Sequence, residues 1–144
     1  MRIFGRLYNW YAVSDNRNIA PEGWRVPSYS DWQILINYLN GDSIAGGKLK
    51  KTDTLYWASP NTSATNETGF TALPGGYRYL YNYSFMDMGY IGRWWSSTPD
   101  RYYRIFAWYW QLNYNNSYAY ARENTGSANN GYSVRCIWEG TMLK

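Results

Sequence analysis

Histidine is absent from the 144-residue sequence, and cysteine occurs once, as Cys136. Without histidine the chain lacks the commonest metal ligand and the usual general base, which excludes Ser-His-Asp and Cys-His catalysis. A single cysteine cannot form an intramolecular disulfide or a CxxC metal site. We therefore expect a chain that folds without cross-links and carries no metal and no cofactor.

Charged residues and long apolar runs are also scarce. Charged residues make up 17% of the chain, the formal net charge is +4, and the one tight basic cluster is Lys48, Lys50 and Lys51. Such a cluster predicts a solvated helix end, not a nucleic-acid surface. No apolar run approaches the roughly 20 residues of a membrane span. The start, MRIFGRLYNW, is interrupted by Arg6 and Asn9 and does not read as a signal peptide, so the sequence leaves the localisation open.

Aromatic residues are abundant. They make up 21% of the chain, with 17 Tyr and 9 Trp, so burial and recognition depend on rings that carry a polar group. The length predicts one domain over residues 1–144. Its densest segment is 100–130, DRYYRIFAWYWQLNYNNSYAYARENTGSANN, in which Ile105 and Leu112 are the two large aliphatic residues.

Periodicity predicts a strand and then a helix in the first third of the chain. RLYNWYAV, residues 6–13, is rich in strand-forming residues. SYSDWQILINYLNGD, residues 28–42, begins with a capping box at Ser28 and Asp31 and ends at Gly41. Four apolar residues in it follow helical spacing: Trp32, Leu35, Ile36 and Leu39.

The rest of the chain predicts one more helix and then mainly strands. SIAGGKLKK, residues 43–51, suits a helix that its two central glycines weaken by about 1 kcal/mol each. Residues 52–90 predict loops and short strands, and IGRWWSST, IFAWYWQLNY and SYAYARE predict β-hairpins. GYSVRCIWE, residues 131–139, alternates strictly and places four residues on the expected core face: Tyr132, Val134, Cys136 and Trp138. This order indicates an α+β fold with helices segregated from a small antiparallel sheet.

Six segments, taken together, resemble a known family. GRLYNWYAV, APEGWRVPSYSDWQILINYL, GGKLK, NETGFTALPGGYR, GRWWSST and GYSVRC follow in this order and resemble the Fibrobacter succinogenes major paralogous domain, a bacterial family with a C-type-lectin-like fold. The resemblance extends from about Gly5 to Cys136. It implies two helices, adjacent N- and C-terminal strands, and a small antiparallel sheet with long loops that presents a ligand surface.

The family resemblance also bears on localisation and on calcium. It implies a secreted, cell-surface or phage-particle setting. Animal C-type lectins add disulfides and a calcium site with Glu-Pro-Asn and Trp-Asn-Asp motifs. This chain has one cysteine and neither motif, so calcium-dependent sugar binding is not expected.

The segment 100–130 further resembles the variable region of proteins that diversity-generating retroelements rewrite. There a reverse transcriptase replaces adenines, so residues encoded by AAC or AAT change to many types but never to Trp, Gln, Glu, Lys or Met. The resemblance implies a constant frame of Gln111, Glu123 and the scaffold tryptophans Trp94, Trp95, Trp108 and Trp110. The ligand-binding residues it implies are Arg101, Tyr102, Tyr103, Arg104, Ile105, Phe106, Tyr109, Tyr118, Tyr120, Arg122, Asn124, Thr125, Gly126 and Ser127. Antibody paratopes are similarly rich in Tyr, Ser, Gly, Asn and Arg.

These features favour a non-enzymatic, receptor- or adhesin-like binding protein with a hypervariable surface. Its target would be a macromolecule, a protein or a glycan, and not nucleic acid. The same surface also suits a family member with fixed residues, which makes a carbohydrate-binding module or adhesin of constant specificity the alternative. A glycan-cleaving enzyme would need two carboxylates that meet only in the fold.

Five tryptophans fit either a sugar-stacking platform or, more commonly, core packing: Trp24, Trp32, Trp57, Trp94 and Trp95.

Overall fold

A computed structural model describes residues 3–103, 105–123 and 127–140. Within them three α-helices occur: α1, Trp10–Val13; α2, Tyr29–Tyr38; and α3, Asp42–Leu49. The strands are β1, Trp24–Arg25; β2, Tyr77–Arg78; β3, Phe85–Met86; β4, Ile91–Pro99; β5, Ala107–Asn113; β6, Ala119–Arg122; and β7, Ile137–Trp138. The predicted α+β class is confirmed. None of the described helices has the length and apolarity that crossing a bilayer requires.

The central element is an antiparallel sheet in the order β4-β5-β6, accompanied by the two-stranded pairs β1-β7 and β2-β3. Residues directly opposite each other in such a sheet share a face. Arg93, Gln111 and Tyr120 form one row of what we name the front face. The next front-face row is Trp95, Tyr109 and Arg122. The back face carries Trp94 and Trp110.

The back face packs against α2, a helix that the sequence predicted. Ser28 and Asp31 form the expected capping box, and Trp32, Ile36 and Leu39 are buried with Trp110 in one core cluster, against which Leu35 packs. The rings of Trp32 and Trp110 stack with centroids 5.4 Å apart. The prediction of this helix and of its apolar face is therefore confirmed.

Helix α3 is also present, and its two glycines have a packing role. A Cβ atom on Gly46 would lie 2.1 Å from the carbonyl oxygen of Tyr118, and one on Gly47 would lie 2.5 Å from that of Ser63. The Gly47 N–H donates to the Ser117 carbonyl at 3.1 Å. The glycines thus let neighbouring backbone approach α3, which offsets their weak helix propensity.

The prediction of a strand over residues 6–13 is wrong for most of its length, because residues 10–13 form α1. The Asn9 side chain caps this turn by accepting from the Ala12 N–H at 3.0 Å. Trp10 and Val13 then share one helical side and enter a second core cluster with Trp95. Hydrogen bonding of the Trp10 Nε1–H to the Ser96 carbonyl, at 3.0 Å, fixes that ring.

The C-terminal segment differs from the single alternating strand that the sequence predicted. Tyr132 is fully buried and pairs with Tyr8 through two backbone hydrogen bonds of 2.8 and 3.0 Å. Trp138, expected on the same core face, is 56% exposed because β7 pairs with the surface strand β1. Cys136 is half-buried, which raises the pKa of its thiol. The N-terminal and C-terminal parts of the described chain are therefore adjacent, but through short, separate pairings.

Lys50 corrects the prediction that the lysine cluster is a solvated helix end. Its side chain is fully buried, and its Nζ donates to the carbonyls of Thr62, Asn113 and Asn116 at 2.9, 3.0 and 2.9 Å. Burial lowers the pKa of Lys50 to about 8. Lys48 and Lys51, by contrast, are partly exposed and pair with acidic residues.

Candidate functional site

The loop between β4 and β5 presents several of the predicted contact residues to solvent. Buried Asp100 organises it, because its Oδ1 accepts from the backbone N–H groups of Tyr102 and Tyr103 at 2.8 and 2.6 Å. The Asp100 N–H donates to the Phe106 carbonyl at 3.0 Å and closes the loop. Tyr102 and Tyr103 project outward with exposed fractions of 73% and 59%.

Strand β6 and the residue before it contribute a second group of predicted contact residues. Tyr120 and Arg122 are two residues apart in β6, so they lie on the same side of the strand, and Tyr118 directly precedes the strand. The rings of Tyr118 and Tyr120 stack with centroids 5.4 Å apart and planes 12° apart. The Arg122 guanidinium lies 4.7 Å from the centre of the Tyr120 ring. The three side chains therefore form a continuous ladder on the front face.

The loop and the ladder approach each other at one end of the central sheet. Arg122, at the end of β6, is opposite Tyr109, near the start of β5, where the loop enters the sheet. The Ala128 N–H also donates to the Ile105 carbonyl at 2.8 Å. We name the exposed and half-exposed residues of the two groups the display surface. Its members are Arg101, Tyr102, Tyr103, Ile105, Tyr118, Tyr120 and Arg122.

Other predicted contact residues are less available than the sequence suggested. Tyr109 is only 3% exposed, because its ring packs against Trp95 and Tyr132 with centroids 6.0 and 4.8 Å away. Phe106 and Ser127 are half-buried and pair with each other as an isolated bridge. Arg104, Asn124, Thr125 and Gly126 lie outside the described residues.

The predicted scaffold tryptophans lie beneath the display surface. Trp94, Trp95 and Trp110 are buried, with exposed fractions of 6%, 0% and 2%. Trp108 is half-buried and its ring lies 4.6 Å from that of Tyr29. Trp32 and Trp57 are buried too. Of the five tryptophans considered for a sugar platform only Trp24 is exposed, and it packs edge-on against Trp138.

A polar concavity on the front face, which we name the front basin, was not predicted from the sequence. Its volume is about 400 Å³, and the display residue Arg122 forms part of its wall. The other lining residues are Tyr77, Tyr79, Arg93, Tyr109, Gln111 and Asn130. Tyr77 and Tyr79 come from the β2 region, far from segment 100–130 in sequence. Only the cross-strand register, which no sequence pattern specifies, brings these residues together.

Arg93 is the most constrained cation of the front basin. Its Nε donates to Gln111 Oε1 at 2.9 Å, and Gln111 Nε2 donates in turn to Asn113 Oδ1 at 2.8 Å. The guanidinium lies 3.9 Å from the centre of the Tyr77 ring, with Tyr132 and Tyr109 at 5.4 and 5.5 Å. Burial raises the pKa of Tyr132 to about 12, so the Tyr132 ring stays neutral at pH 7.

The arginines that the structure describes in this region form no ion pair with a described carboxylate. All ten acidic residues lie in the part of the chain that the structure describes, and the ion pairs found there engage Arg17, Arg25, Lys48 and Lys51. Arg93, Arg101 and Arg122 are in none of these pairs. Three uncompensated guanidinium groups therefore give the display surface and the front basin a positive potential.

Comparison with known proteins gives one match. The model of the family described as the Fibrobacter succinogenes major domain matches residues 1–138, which is nearly the whole chain. No curated protein and no solved structure matches the chain.

Proposed function

The chain belongs to the Fibrobacter succinogenes major domain family, and we propose that it is a non-enzymatic binding protein whose display surface contacts a macromolecular target. The proposal includes the C-type-lectin-like scaffold that the family resemblance implies. The pairing of Tyr8 with Tyr132 and the small central sheet with long loops support it. It also includes a secreted, cell-surface or phage-borne setting.

One observation carries the proposal: large side chains that proteins usually bury are exposed together above a tryptophan-rich core. Tyr102, Tyr103, Ile105 and Tyr118 are 73%, 59%, 58% and 43% exposed. Tyrosine and arginine are frequent hot-spot residues, because they offer rigid contact area together with hydrogen-bonding groups. A surface of this composition suits a protein target of standard interface size, about 800 Å² per partner.

The origin of this surface is the second part of the proposal. The exposed residues at 101–103, 105, 118, 120 and 122 are of types that adenine replacement produces, whereas buried Trp94, Trp95 and Trp110 are not. Diversification of the display surface by a retroelement would therefore change the contact residues and preserve the core. The structure is compatible with this division because the two sets differ in burial.

The DNA around the gene tests the origin directly. We expect a second, near-identical copy of the segment that encodes residues 94–136, differing from it only where that copy has adenine. Absence of such a copy would contradict diversification. It would leave a family member of fixed specificity, with a carbohydrate-binding module or adhesin as the alternative function.

Binding itself is tested by substitution once a target has been selected against the purified protein. Replacing Tyr102, Tyr103, Tyr118 and Tyr120 together by alanine should weaken binding at least 100-fold, since several aromatic anchors are removed. The matched control is Tyr38→Ala with Tyr81→Ala, which removes rings that are 80% and 76% exposed elsewhere. Unchanged affinity of the fourfold variant, with the fold retained, would refute the proposal.

A further inference from the structure

We propose that the front basin is a carboxylate-binding site, and that the display surface beside it selects protein targets presenting a Glu or Asp side chain. The macromolecular nature of the partner rests on the function proposed above. Carboxylate recognition by the front basin itself does not, and it can be measured without any target.

The first argument is the geometry of Arg93. Gln111 holds one edge of its guanidinium and Tyr77 covers one face, so the group is oriented before any ligand arrives. Its Nη1 makes a long contact of 3.5 Å with the Tyr132 hydroxyl, and its Nη2 has no acceptor among the described residues. A guanidinium with a free edge can donate two parallel N–H···O bonds to a carboxylate.

A second guanidinium borders the same basin from the other side. Arg93 on β4 and Arg122 on β6 lie on the front face in adjacent rows, separated by β5. Strand spacing and rise place their Cα atoms about 12 Å apart. Two arginine side chains that extend toward each other over this distance can both contact one ligand between them. Arg122 rests on the Tyr120 ring, so one carboxylate between them would meet positive charge from two directions.

The absence of counter-charge inside the front basin is the third argument. The residues that line it are five neutral aromatic or amide residues and two arginines, with no Asp or Glu. Arg93 is half-buried, and a partly desolvated cation without an anionic partner is costly to maintain. An incoming carboxylate would remove that cost and form charge-assisted hydrogen bonds, which are about twice as strong as neutral ones.

The remaining polar groups favour a carboxylate on a short stem over a sugar acid. Gln111 is engaged through both ends of its amide, with Arg93 and Asn113. Asn130 is likewise engaged, because its Nδ2 donates to the Tyr132 hydroxyl and its Oδ1 accepts from the Leu80 N–H. The amides that would bind ring hydroxyls of a sugar are therefore already used, whereas the Nη2 edge of the Arg93 guanidinium has no acceptor among the described residues.

The experiment titrates isotope-labelled protein with N-acetyl-glutamic acid α-amide at pH 7 and follows the Gln111 side-chain amide and the Tyr120 backbone amide by NMR. N-acetyl-glutamine α-amide is the neutral isostere. We expect saturable shifts with the glutamate compound, an affinity at least ten-fold lower for the glutamine compound, and weaker binding as salt is raised. Equal responses to the two compounds would overturn the proposal.

Three variants and one further ligand complete the design. Arg93→Gln should abolish the preference for glutamate, and Arg122→Gln, a change at an exposed residue, should reduce it about three-fold without risk to the fold. Arg135→Gln is the matched control, because Arg135 also forms no ion pair among the described residues and also covers an aromatic ring, Phe70, outside the basin. A preference that survives in both basin variants would refute the site. Tighter binding of methyl glucuronide than of the glutamate compound would overturn the assignment to protein targets.

Discussion

At the scale of single residues, Lys50 is a charge that the fold keeps inside. Its three hydrogen bonds tie the loop at Thr62 to the turn between β5 and β6, at Asn113 and Asn116. A neutral amine has only two N–H donors, so three carbonyls require the ammonium form. The lowered pKa, about 8, still leaves that form dominant at pH 7. Lys50 therefore serves as an internal cation that positions the turn leading into Tyr118.

Lys50→Met should lower the free energy of unfolding by about 3 kcal/mol, because buried carbonyls lose their donor while the side-chain volume is kept. Chemical denaturation at pH 7 measures this change. Lys48→Met is the control, since Lys48 forms a partly exposed ion pair with Glu67 at 3.1 Å and should cost less than about 1 kcal/mol. Similar losses in the two variants would show that the internal hydrogen bonds contribute little.

At the scale of elements, the contact between α3 and the start of β6 fixes part of the display surface. Gly46 lies so close to the Tyr118 backbone that no side chain fits between them. The neighbouring Ser117 hydroxyl donates to the Ser43 carbonyl at 2.6 Å. The position of Tyr118 therefore depends on a helix that contributes no side chain to the display surface.

Gly46→Ala should lower the free energy of unfolding by about 2 kcal/mol, although alanine is the better helix former, because backbone atoms of α3 and Tyr118 must separate. Ser43→Ala, at an exposed position of the same helix, should change it by less than about 0.5 kcal/mol. Urea denaturation of both variants makes the comparison. A neutral or stabilising Gly46→Ala would mean that the approach is not close enough to exclude a methyl group.

The start of α2 carries the clearest pH dependence. Hydrogen bonding to Arg25, at 2.8 Å through Nη2, and to Ser28 holds the pKa of Asp31 well below its usual range. A depressed pKa means that the unfolded chain binds the proton more readily, so the stabilisation exists above about pH 4 and is lost as the pH falls below it.

Lowering the pH from 6 to 3 should therefore reduce the free energy of unfolding of the unsubstituted protein more than that of an Asp31→Asn variant. The difference should be about 1 kcal/mol, a value reduced to allow for the exposure of the ion pair. Denaturation curves of the two chains at both pH values give the difference. Parallel losses in the two chains would place the acid sensitivity elsewhere in the molecule.

The contrast between α2 and α1 shows which elements the sequence can predict. Helix α2 has a capping box and four apolar residues at helical spacing, so local signals suffice. Helix α1 is one turn long, and its aromatic residues suit a strand equally well. What decides its conformation is the burial of Trp10 against Ser96, 86 positions away in the chain, and no local pattern carries that information.

At the scale of the whole molecule, the same distinction applies to the display surface. The resemblance of segment 100–130 to a variable region predicted contact residues at 101–103, 105, 118, 120 and 122, and the structure exposes most of them; that they contact a target stays a prediction. The resemblance did not suffice for Tyr109, whose burial depends on Tyr132, or for the front basin, which needs Tyr77 and Arg93 to be brought beside β6. Such long-range pairings follow from strand order and register, which one sequence does not specify.

The display surface is exposed and the tryptophan frame beneath it is buried. Substitutions in the display surface should therefore leave the fold stable, whereas substitutions in the frame should not. Replacing Arg101, Tyr102, Tyr103, Ile105 and Tyr118 together by serine should alter the free energy of unfolding by about 1 kcal/mol in total, because all five are exposed. Trp110→Ala alone should cost about 4 kcal/mol, since Trp110 is 2% exposed and stacks on Trp32. Guanidinium denaturation of the two variants provides the test. If the five surface changes cost as much as the single core change, the display surface would be part of what stabilises the fold, and wholesale variation of its residues would be incompatible with folding.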